Sequence, residues 1–171
     1  EGMFPESLVA ARKLLEVITP LQTDCGLVCG GACCQTHPGE ETGMLLFPGE
    51  AEMYRGEEGF TLVDSPHGTI LVCEGRCDRA NRPLACRMFP LVMLLRPDGV
   101  KIATDAAAQS VCPLARQGKS ALSQDFVAAV RQAANLLAQD NQQAAHLRRL
   151  TDMQDELKAL RAQYRGRKEH V

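Results

Sequence analysis

The spacing of apolar residues divides the first third of the chain into short helical and strand-forming stretches. Residues 6–18 place apolar side chains at helical spacing, and Thr19-Pro20 should end this helix because proline disfavours helical geometry in the residue before it. The apolar run at residues 43–47 predicts a strand. Residues 48–54 begin like a helix with acidic residues in its first turn.

Two pairs of β-forming runs follow, each interrupted by turn-forming residues. Residues 60–63 and 69–72 flank the turn-rich residues 64–68. Residues 91–96 and 100–104 flank Pro97-Asp98-Gly99, the clearest turn signal in the chain. We therefore expect two β-hairpins.

The last third of the chain is helix-forming. Residues 120–166 contain neither cysteine nor proline, and the helical pattern is interrupted near Asp140-Asn141. A stripe near heptad a and d positions predicts either a helical hairpin or a short coiled coil, and it comprises His146, Leu150, Met153, Leu157, Leu160 and Tyr164.

These patterns together predict an α+β fold. We expect a small cysteine-bound core with two β-hairpins and short helices, followed by a C-terminal helical hairpin. The predicted boundaries are residues 3–118 for the cysteine-cluster domain and residues 119–171 for a helical extension packed on it. A length of 171 residues suits one ordinary hydrophobic core with such an appended element.

Composition excludes some classes of partner. The chain is 45% hydrophobic but has no apolar run of membrane length, which takes about 20 residues, so we expect no membrane span. With 19 basic against 21 acidic residues, and with no Trp, two Tyr and five Phe, we expect no nucleic-acid partner.

The compartment is inferred from the beginning of the chain and from its cysteine content. We expect Met3 to be the native initiator, and no secretory signal follows it, which favours the cytoplasm. Eight cysteines are too few for a small disulfide scaffold. In a reducing compartment such cysteines are more often metal ligands or redox groups.

The eight cysteines fall in dense groups. Short spacings allow several thiolates to converge on one ion without a long loop between them. All eight are candidate metal ligands: Cys25, Cys29, Cys33, Cys34, Cys73, Cys77, Cys86 and Cys112.

The grouping leaves the number of sites open. Eight thiolates can form two four-coordinate sites, or four can bind one centre while the others are structural or redox-active. Single members can also be buried free thiols that act as small apolar side chains. Disulfides are disfavoured because adjacent Cys33-Cys34 is an awkward arrangement for ordinary bridge geometry.

The ligand chemistry narrows the metal to two kinds. All-thiolate coordination suits zinc or an iron–sulfur cluster and excludes magnesium or calcium as the principal ion. His37 is an additional candidate ligand, although it can equally be a surface histidine. Arg82 and Arg87 flank Cys86, where they can either lower the pKa of its thiol or pair with acidic neighbours.

The motifs resemble those of the zinc- or iron-chelating cysteine-cluster proteins, which carry a CxxCxxCC-type signature and an RPxxCRxFP box. The resemblance covers residues 25–112 and rests on the knuckle that ends in Cys33-Cys34, on Cys73 and Cys77, and above all on Arg-Pro-Leu-Ala-Cys-Arg-Met-Phe-Pro at residues 82–90. The knuckle reads CxxxCxxxCC here, so the carry-over is firmest for Cys33 and Cys86. The resemblance implies metal binding, and similar clusters occur in flagellin lysine methylases.

Three functional hypotheses follow. The first is a cytoplasmic protein whose thiolates bind zinc or iron, with an iron–sulfur cluster as one form. The second is a metal-dependent, methylase-like enzyme that modifies a protein side chain, although the chain has no G-x-G-x-x-G loop. The third is an interaction module in which the metal is structural and the C-terminal helices, with their basic end at residues 161–168, bind a protein partner.

Overall fold

The computed structural model describes residues 3–21, 43–73, 78–110 and 112–168. Five α-helices and two antiparallel sheets confirm the predicted α+β fold within these residues. In chain order the elements are α1 (Glu6–Leu14), β1 (Gly43–Leu45), β2 (Phe60–Ser65), β3 (Gly68–Cys73), α2 (Leu84–Met88), β4 (Leu91–Arg96), β5 (Gly99–Thr104), α3 (Pro113–Gln117), α4 (Gln124–Ala138) and α5 (Asn141–Lys168). Short 3-10 helices cover Glu50–Met53, Arg79–Asn81, Ala106–Ser110 and Lys119–Ala121.

The first sheet has the strand order β1-β3-β2 and contains the first predicted hairpin. Strands β2 and β3 are antiparallel, with Ser65 opposite Gly68 across a two-residue turn and Phe60 opposite Cys73 at the other end. Strand β1 pairs with the other side of β3, where Gly43 lies opposite Val72. Cys73 therefore lies at the end of the central strand of this sheet.

The second predicted hairpin forms a separate two-stranded sheet. Arg96 lies opposite Gly99 next to the Pro97-Asp98 turn, and Leu91 lies opposite Thr104. The first four residues of β4 are buried, which is the pattern of a strand covered on both faces. Helices α4 and α5 both contact this strand.

The N-terminal helix is shorter than its apolar pattern predicts. Helix α1 ends at Leu14, whereas the expected helix covered residues 6–18. Val17, Ile18 and Thr19 are β-branched and come directly before Pro20, so the last predicted turn contains two residues of low helix propensity and lies close to the restriction that proline imposes.

The stretch after β1 also differs from the prediction. The expected strand at residues 43–47 ends at Leu45, and the expected helix at residues 48–54 is a single 3-10 turn over Glu50–Met53. Gly49 precedes this turn with a φ of 86°, a left-handed geometry that glycine adopts without steric cost. The turn directs Glu50 into the protein, where its side chain is 0% exposed.

The helical hairpin predicted for the C-terminal region is confirmed, with its corner at the expected position. Asp140 acts as the cap of α5, because its Oδ1 accepts hydrogen bonds from the backbone N–H groups of Gln142 and Gln143 at 2.9 and 3.3 Å. Its Oδ2 also accepts a hydrogen bond from Ser7 Oγ at 3.1 Å. The corner is thereby fixed to α1.

One apolar core extends through most of the described residues. It is made by α1, α2, the β4-β5 hairpin, α4 and the first part of α5, and its largest buried members are Leu8, Leu15, Phe47, Leu84, Met93, Phe126, Leu137 and Leu147. The core includes residues on both sides of the boundary predicted between residues 118 and 119, and the division into two domains stays a prediction.

The heptad stripe of α5 is buried only in part. His146 is buried, Leu150, Met153 and Leu157 are half-buried, and Leu160 and Tyr164 are exposed. The first part of α5 therefore belongs to the core, and its second part extends along the surface. Among the described residues, none of the helices combines the length and apolarity that crossing a membrane requires.

Candidate metal centre

Three of the eight candidate ligands lie in the described residues. Cys73 ends β3, Cys86 lies in the middle of α2, and Cys112 immediately precedes α3. The remaining candidates, Cys25, Cys29, Cys33, Cys34, Cys77 and the alternative ligand His37, lie outside the described residues.

The three described cysteines have different surroundings. Cys73 and Cys86 are half-buried, and Cys73 packs against the cluster formed by Leu46, Tyr54 and Leu71. Cys112 is buried in a small apolar cluster with Ala108 and Ala115, against which Phe89 and Leu114 pack. In the part of the chain that the structure describes, no three His, Cys, Asp or Glu side chains are grouped as a metal site would require. The convergence of the eight thiolates stays a prediction.

A buried carboxylate connects the segments around Cys86. Glu50 Oε2 accepts hydrogen bonds from the backbone N–H of Leu84 at 2.8 Å and from Arg12 Nη1 at 2.5 Å, and its Oε1 accepts one from the N–H of Phe47 at 3.2 Å. These donors come from α2, α1 and the segment after β1. The charge of this buried carboxylate is therefore compensated by one guanidinium and two peptide dipoles.

Arg12 and Tyr54 extend this arrangement towards the loop before α2. Arg12 Nη1 donates to Tyr54 Oη at 3.2 Å, and Tyr54 Oη donates to the carbonyl of Asn81 at 2.7 Å. Burial raises the pKa of Tyr54 to about 12, although the hydrogen bond and the charge of Arg12 act in the opposite direction. The phenol therefore keeps the proton that it donates to Asn81.

Arg87, which follows Cys86, binds backbone and not a carboxylate. It is buried, and it donates to three carbonyls: Nε to Arg82 at 2.8 Å, Nη1 to Arg12 at 2.7 Å and Nη2 to Ala80 at 2.9 Å. Burial, followed by the positive charge of Arg12, lowers the pKa of Arg87. The side chain therefore connects α2 to the loop before it and to the end of α1.

The two arginines flanking Cys86 thus behave differently from the expected ion pairs. Neither Arg82 nor Arg87 forms an ion pair within the described ranges. Arg82 Nε is buried and has no hydrogen-bond partner there. Whether either charge lowers the pKa of the Cys86 thiol stays a prediction.

We call Arg12, Glu50, Tyr54 and Arg87 the buried polar network. It holds the backbone on both sides of Cys86, because Glu50 binds the N–H of Leu84 and Arg87 binds three carbonyls, two in the loop before α2 and one in α1. A helix of five residues has little stability by itself. The position of Cys86 therefore depends on contacts with distant parts of the chain.

Sequence reasoning missed Glu50, Arg12 and Tyr54. The sequence places Glu50 in the first turn of an expected helix, a common arrangement for an acidic residue that gives no sign of burial. A signal was present for Arg12, which follows Leu8 by four residues and precedes Leu15 by three, so it lies on the apolar face of α1. A charged residue at such a position needs a buried partner.

His146 is another buried polar group, in the first part of α5. Its ring contacts Phe47 edge to face, with centroids 4.6 Å apart. Burial, together with the charge of Arg149, lowers the pKa of His146 to about 4, so the imidazole is neutral at physiological pH. Its Nε2 has no hydrogen-bond partner among the described residues.

Two surface clefts of the described residues lie away from the cysteines. One cleft lies between the β4-β5 turn and α5, and another lies between α1 and the end of α4. The residues that line these two clefts include none of Cys73, Cys86 and Cys112.

Comparison with known proteins leaves the family open. No protein-family model, curated protein or solved structure matches this chain significantly. The membership suggested by the cysteine motifs therefore stays a prediction.

Proposed function

We propose that this protein is a thiolate metalloprotein in which zinc or an iron–sulfur cluster is bound by its clustered cysteines, with Cys73 and Cys86 among the ligands. The observation that carries this proposal is the buried polar network around α2. It secures the backbone on both sides of Cys86 with a carboxylate and an arginine that are themselves buried.

The burial of the charged side chains of Glu50 and Arg87 around a helix of only five residues supports a functional role for this segment. Burying charged groups is unfavourable unless they are fully hydrogen-bonded, so such networks seldom improve stability over an apolar core. Metal ligands, in contrast, require their backbone to be held within about 0.5 Å of the binding geometry. A network that fixes the backbone of α2 meets that requirement for Cys86.

Tyr54 connects the surroundings of Cys86 with those of Cys73. Its hydroxyl binds the carbonyl of Asn81 in the loop before α2, and its ring belongs to the apolar cluster against which Cys73 packs. Pairing of Phe60 with Cys73 fixes the end of β3. Both cysteines are therefore placed by elements that meet at Tyr54.

Cys112 lies in surroundings that also suit a free thiol. Its apolar cluster is the setting of a thiol that acts as a small hydrophobic side chain. Phe89, from the same box as Cys86, also packs against this cluster. We propose Cys112 as a ligand, and its substitution distinguishes the two roles.

Metal analysis of protein purified without oxygen tests the proposal. We expect stoichiometric zinc in a colourless protein, or iron and sulfide in a brown one, and the metal-to-protein ratio distinguishes one site from two. Cys73→Ala and Cys86→Ala should reduce the bound metal. Cys112→Ala should do so only if Cys112 is a ligand.

The control is the fold of the metal-free protein. Binding energy for a structural thiolate site is folding energy, so removal of metal by a chelator should lower the unfolding temperature. Wild-type protein that is purified without metal, binds none when it is supplied and folds normally would eliminate the proposal. Unprotected thiolates also need a reducing compartment, and we propose the cytoplasm.

A further inference from the structure

The surroundings of α5 change along its length. Its first part carries the buried side chains of Gln143, Leu147, Thr151 and Gln154. Beyond Asp155 no described residue of α5 is buried. More than three turns of helix therefore extend past the last buried contact.

An apolar stripe continues along this extension. Leu157, Leu160 and Tyr164 follow Met153 at intervals of four, three and four residues, which is the a/d repeat of a two-helix interface. Leu160 is 56% exposed and Tyr164 is 64% exposed. Such a stripe on a solvated helix is the feature that pairing with another helix would cover.

Leu150, at the start of the stripe, packs against the core, and the stripe beyond it lies beside the packed face of α5. Thr151 binds Leu95 of the β4-β5 hairpin and Gln154 binds Ala106 just after it, and these two residues follow Leu150 and Met153 by one residue each. Because each residue advances the helix by about 100°, the stripe lies roughly a quarter turn from the packed face. A second helix can therefore lie beside the body and contact the stripe.

Charges along the same segment are separated by sign. The acidic residues Asp152 and Glu156 come first, together with Asp155, which is paired with Arg96 at 2.6 Å, and no acidic residue lies between them and Lys168. The basic residues follow at positions 158, 161, 165, 167 and 168. The segment is therefore negative at one end and positive at the other.

We propose that residues 150–168 of α5 form an antiparallel helix pair with the same segment of a second copy of this chain. Antiparallel pairing places the acidic end of each copy beside the basic end of the other, whereas parallel pairing places like charges together. Leu157 then lies opposite Leu160 of the second copy, and Met153 lies opposite its Tyr164.

The pairing should be weak and salt-dependent. Two heptads bury less surface than a standard protein interface, and exposed ion pairs are screened as the ionic strength rises. Sedimentation velocity of the full, metal-replete chain, with reductant present to prevent intermolecular disulfides, measures the association. We expect the average mass to rise towards that of a dimer over about a hundredfold increase in concentration, more at roughly 0.05 M than at roughly 0.5 M salt.

A substitution in the stripe tests its role against a matched control. Leu160→Lys alters an exposed position, so it should leave the unfolding temperature unchanged and abolish the association. Val17→Lys alters a residue that is 85% exposed but remote in sequence from the stripe, and it should leave the association intact. A monomer at every concentration, or an association that survives Leu160→Lys, would overturn the proposal.

Charge reversal tests the orientation. Reversing one end, with Asp152→Lys and Glu156→Lys or with Arg165→Glu and Arg167→Glu, should weaken self-association. Reversing all four should restore it, because antiparallel complementarity then returns with the signs exchanged. This fourfold variant should not pair with the wild type, and preferential pairing between those two chains would refute the antiparallel arrangement.

Discussion

The carboxylate of Glu50 accepts a hydrogen bond from the backbone N–H of Leu84, a residue 34 positions further along the chain, at 2.8 Å. Leu84 begins α2, so this contact fixes the start of the helix that contains Cys86. Pro83, at the N-cap position of α2, supplies no side-chain hydrogen bond to that helix. Glu50 caps the helix instead, and its negative charge is also favourable at a helix N-terminus.

We expect Glu50→Gln to reduce the free energy of unfolding by about 3 to 5 kcal/mol, the usual effect of removing one partner of a buried ion pair. The substitution leaves the guanidinium of Arg12 largely buried without a counter-charge. Urea denaturation measures the effect.

Glu52→Gln is the matched control for Glu50→Gln. Glu52 pairs with Arg55 at 2.7 Å in the same short segment, but both side chains are mostly exposed. Exposed pairs contribute little to stability, so the free energy of unfolding should be unchanged within error. Equal effects of the two substitutions would contradict the importance that we assign to the buried carboxylate.

Arg87→Lys should weaken metal binding. Lysine keeps the positive charge but cannot donate to the three carbonyls that the guanidinium binds. Because loss of a supporting contact typically costs 10- to 100-fold in metal affinity, we expect a loss of about that size in a competition titration with a chelator.

Arg148→Lys, at an exposed position of α5, provides the comparison for Arg87→Lys. It should leave the metal affinity unchanged. If Arg87→Lys had the same metal affinity as Arg148→Lys, the buried polar network would have no part in the metal site.

Much of the fold follows from local signals. The Pro97-Asp98-Gly99 turn and Asp140 are recognisable because each acts through its own backbone geometry or its immediate neighbours. The end of α1 was misplaced by four residues, because apolar spacing continues past the point where β-branched residues stop the helix.

The supporting residues of the candidate site could not be found in the same way. Glu50 meets Arg12 and Leu84 only after distant segments have packed together, and no local pattern encodes that meeting. The heptad stripe shows the same limit: one pattern covers both His146, which is buried, and Tyr164, which is exposed. Periodicity identifies a helical face but not what covers it.

Gly49→Ala should lower the free energy of unfolding by more than the conformational cost of placing alanine at a positive φ. A Cβ at position 49 would lie 2.7 Å from Cγ of Pro5, and its φ of 86° is unfavourable for alanine. Gly56 has a similar φ of 81° but no atom within 4 Å of such a Cβ, so Gly56→Ala isolates the conformational cost of about 1 kcal/mol.

Thermal and urea denaturation of both glycine variants measure the difference. The loss for Gly49→Ala should exceed that for Gly56→Ala by about 1 to 3 kcal/mol, the range for overpacked sites. Equal losses would mean that the segment carrying Glu50 moves away from Pro5 without cost.

Acid should destabilise the protein through His146. Its pKa is about 4 in the folded protein against 6.5 as the ordinary value, so the unfolded chain binds the proton more readily. Above pH 6.5 the neutral His146 therefore leaves the free energy of unfolding at its full value. As the pH falls towards 4, the free energy of unfolding should decrease by about 3 kcal/mol through this residue.

His146→Leu removes this titration and keeps an apolar side chain against Phe47. The difference in unfolding free energy between wild type and variant, measured by urea denaturation between pH 7.5 and pH 4.5, isolates His146 from thiolates that also titrate in acid. The stability of the variant should fall less steeply in this range. If the unfolding free energies of wild type and His146→Leu changed equally with pH, burial of a neutral imidazole would be ruled out.

Thr151 of α5 binds the outer edge of the β4-β5 hairpin. Its Oγ1 accepts a hydrogen bond from the N–H of Leu95 at 2.9 Å and donates one to the carbonyl of Leu147 at 2.7 Å. The edge of a two-stranded sheet exposes backbone amide groups with which a strand of another chain can pair. The hydroxyl of Thr151 occupies one of these groups, the N–H of Leu95. The hydroxyl thus occupies an edge amide to which a foreign strand would otherwise pair, a role separate from the chemistry of the cysteines.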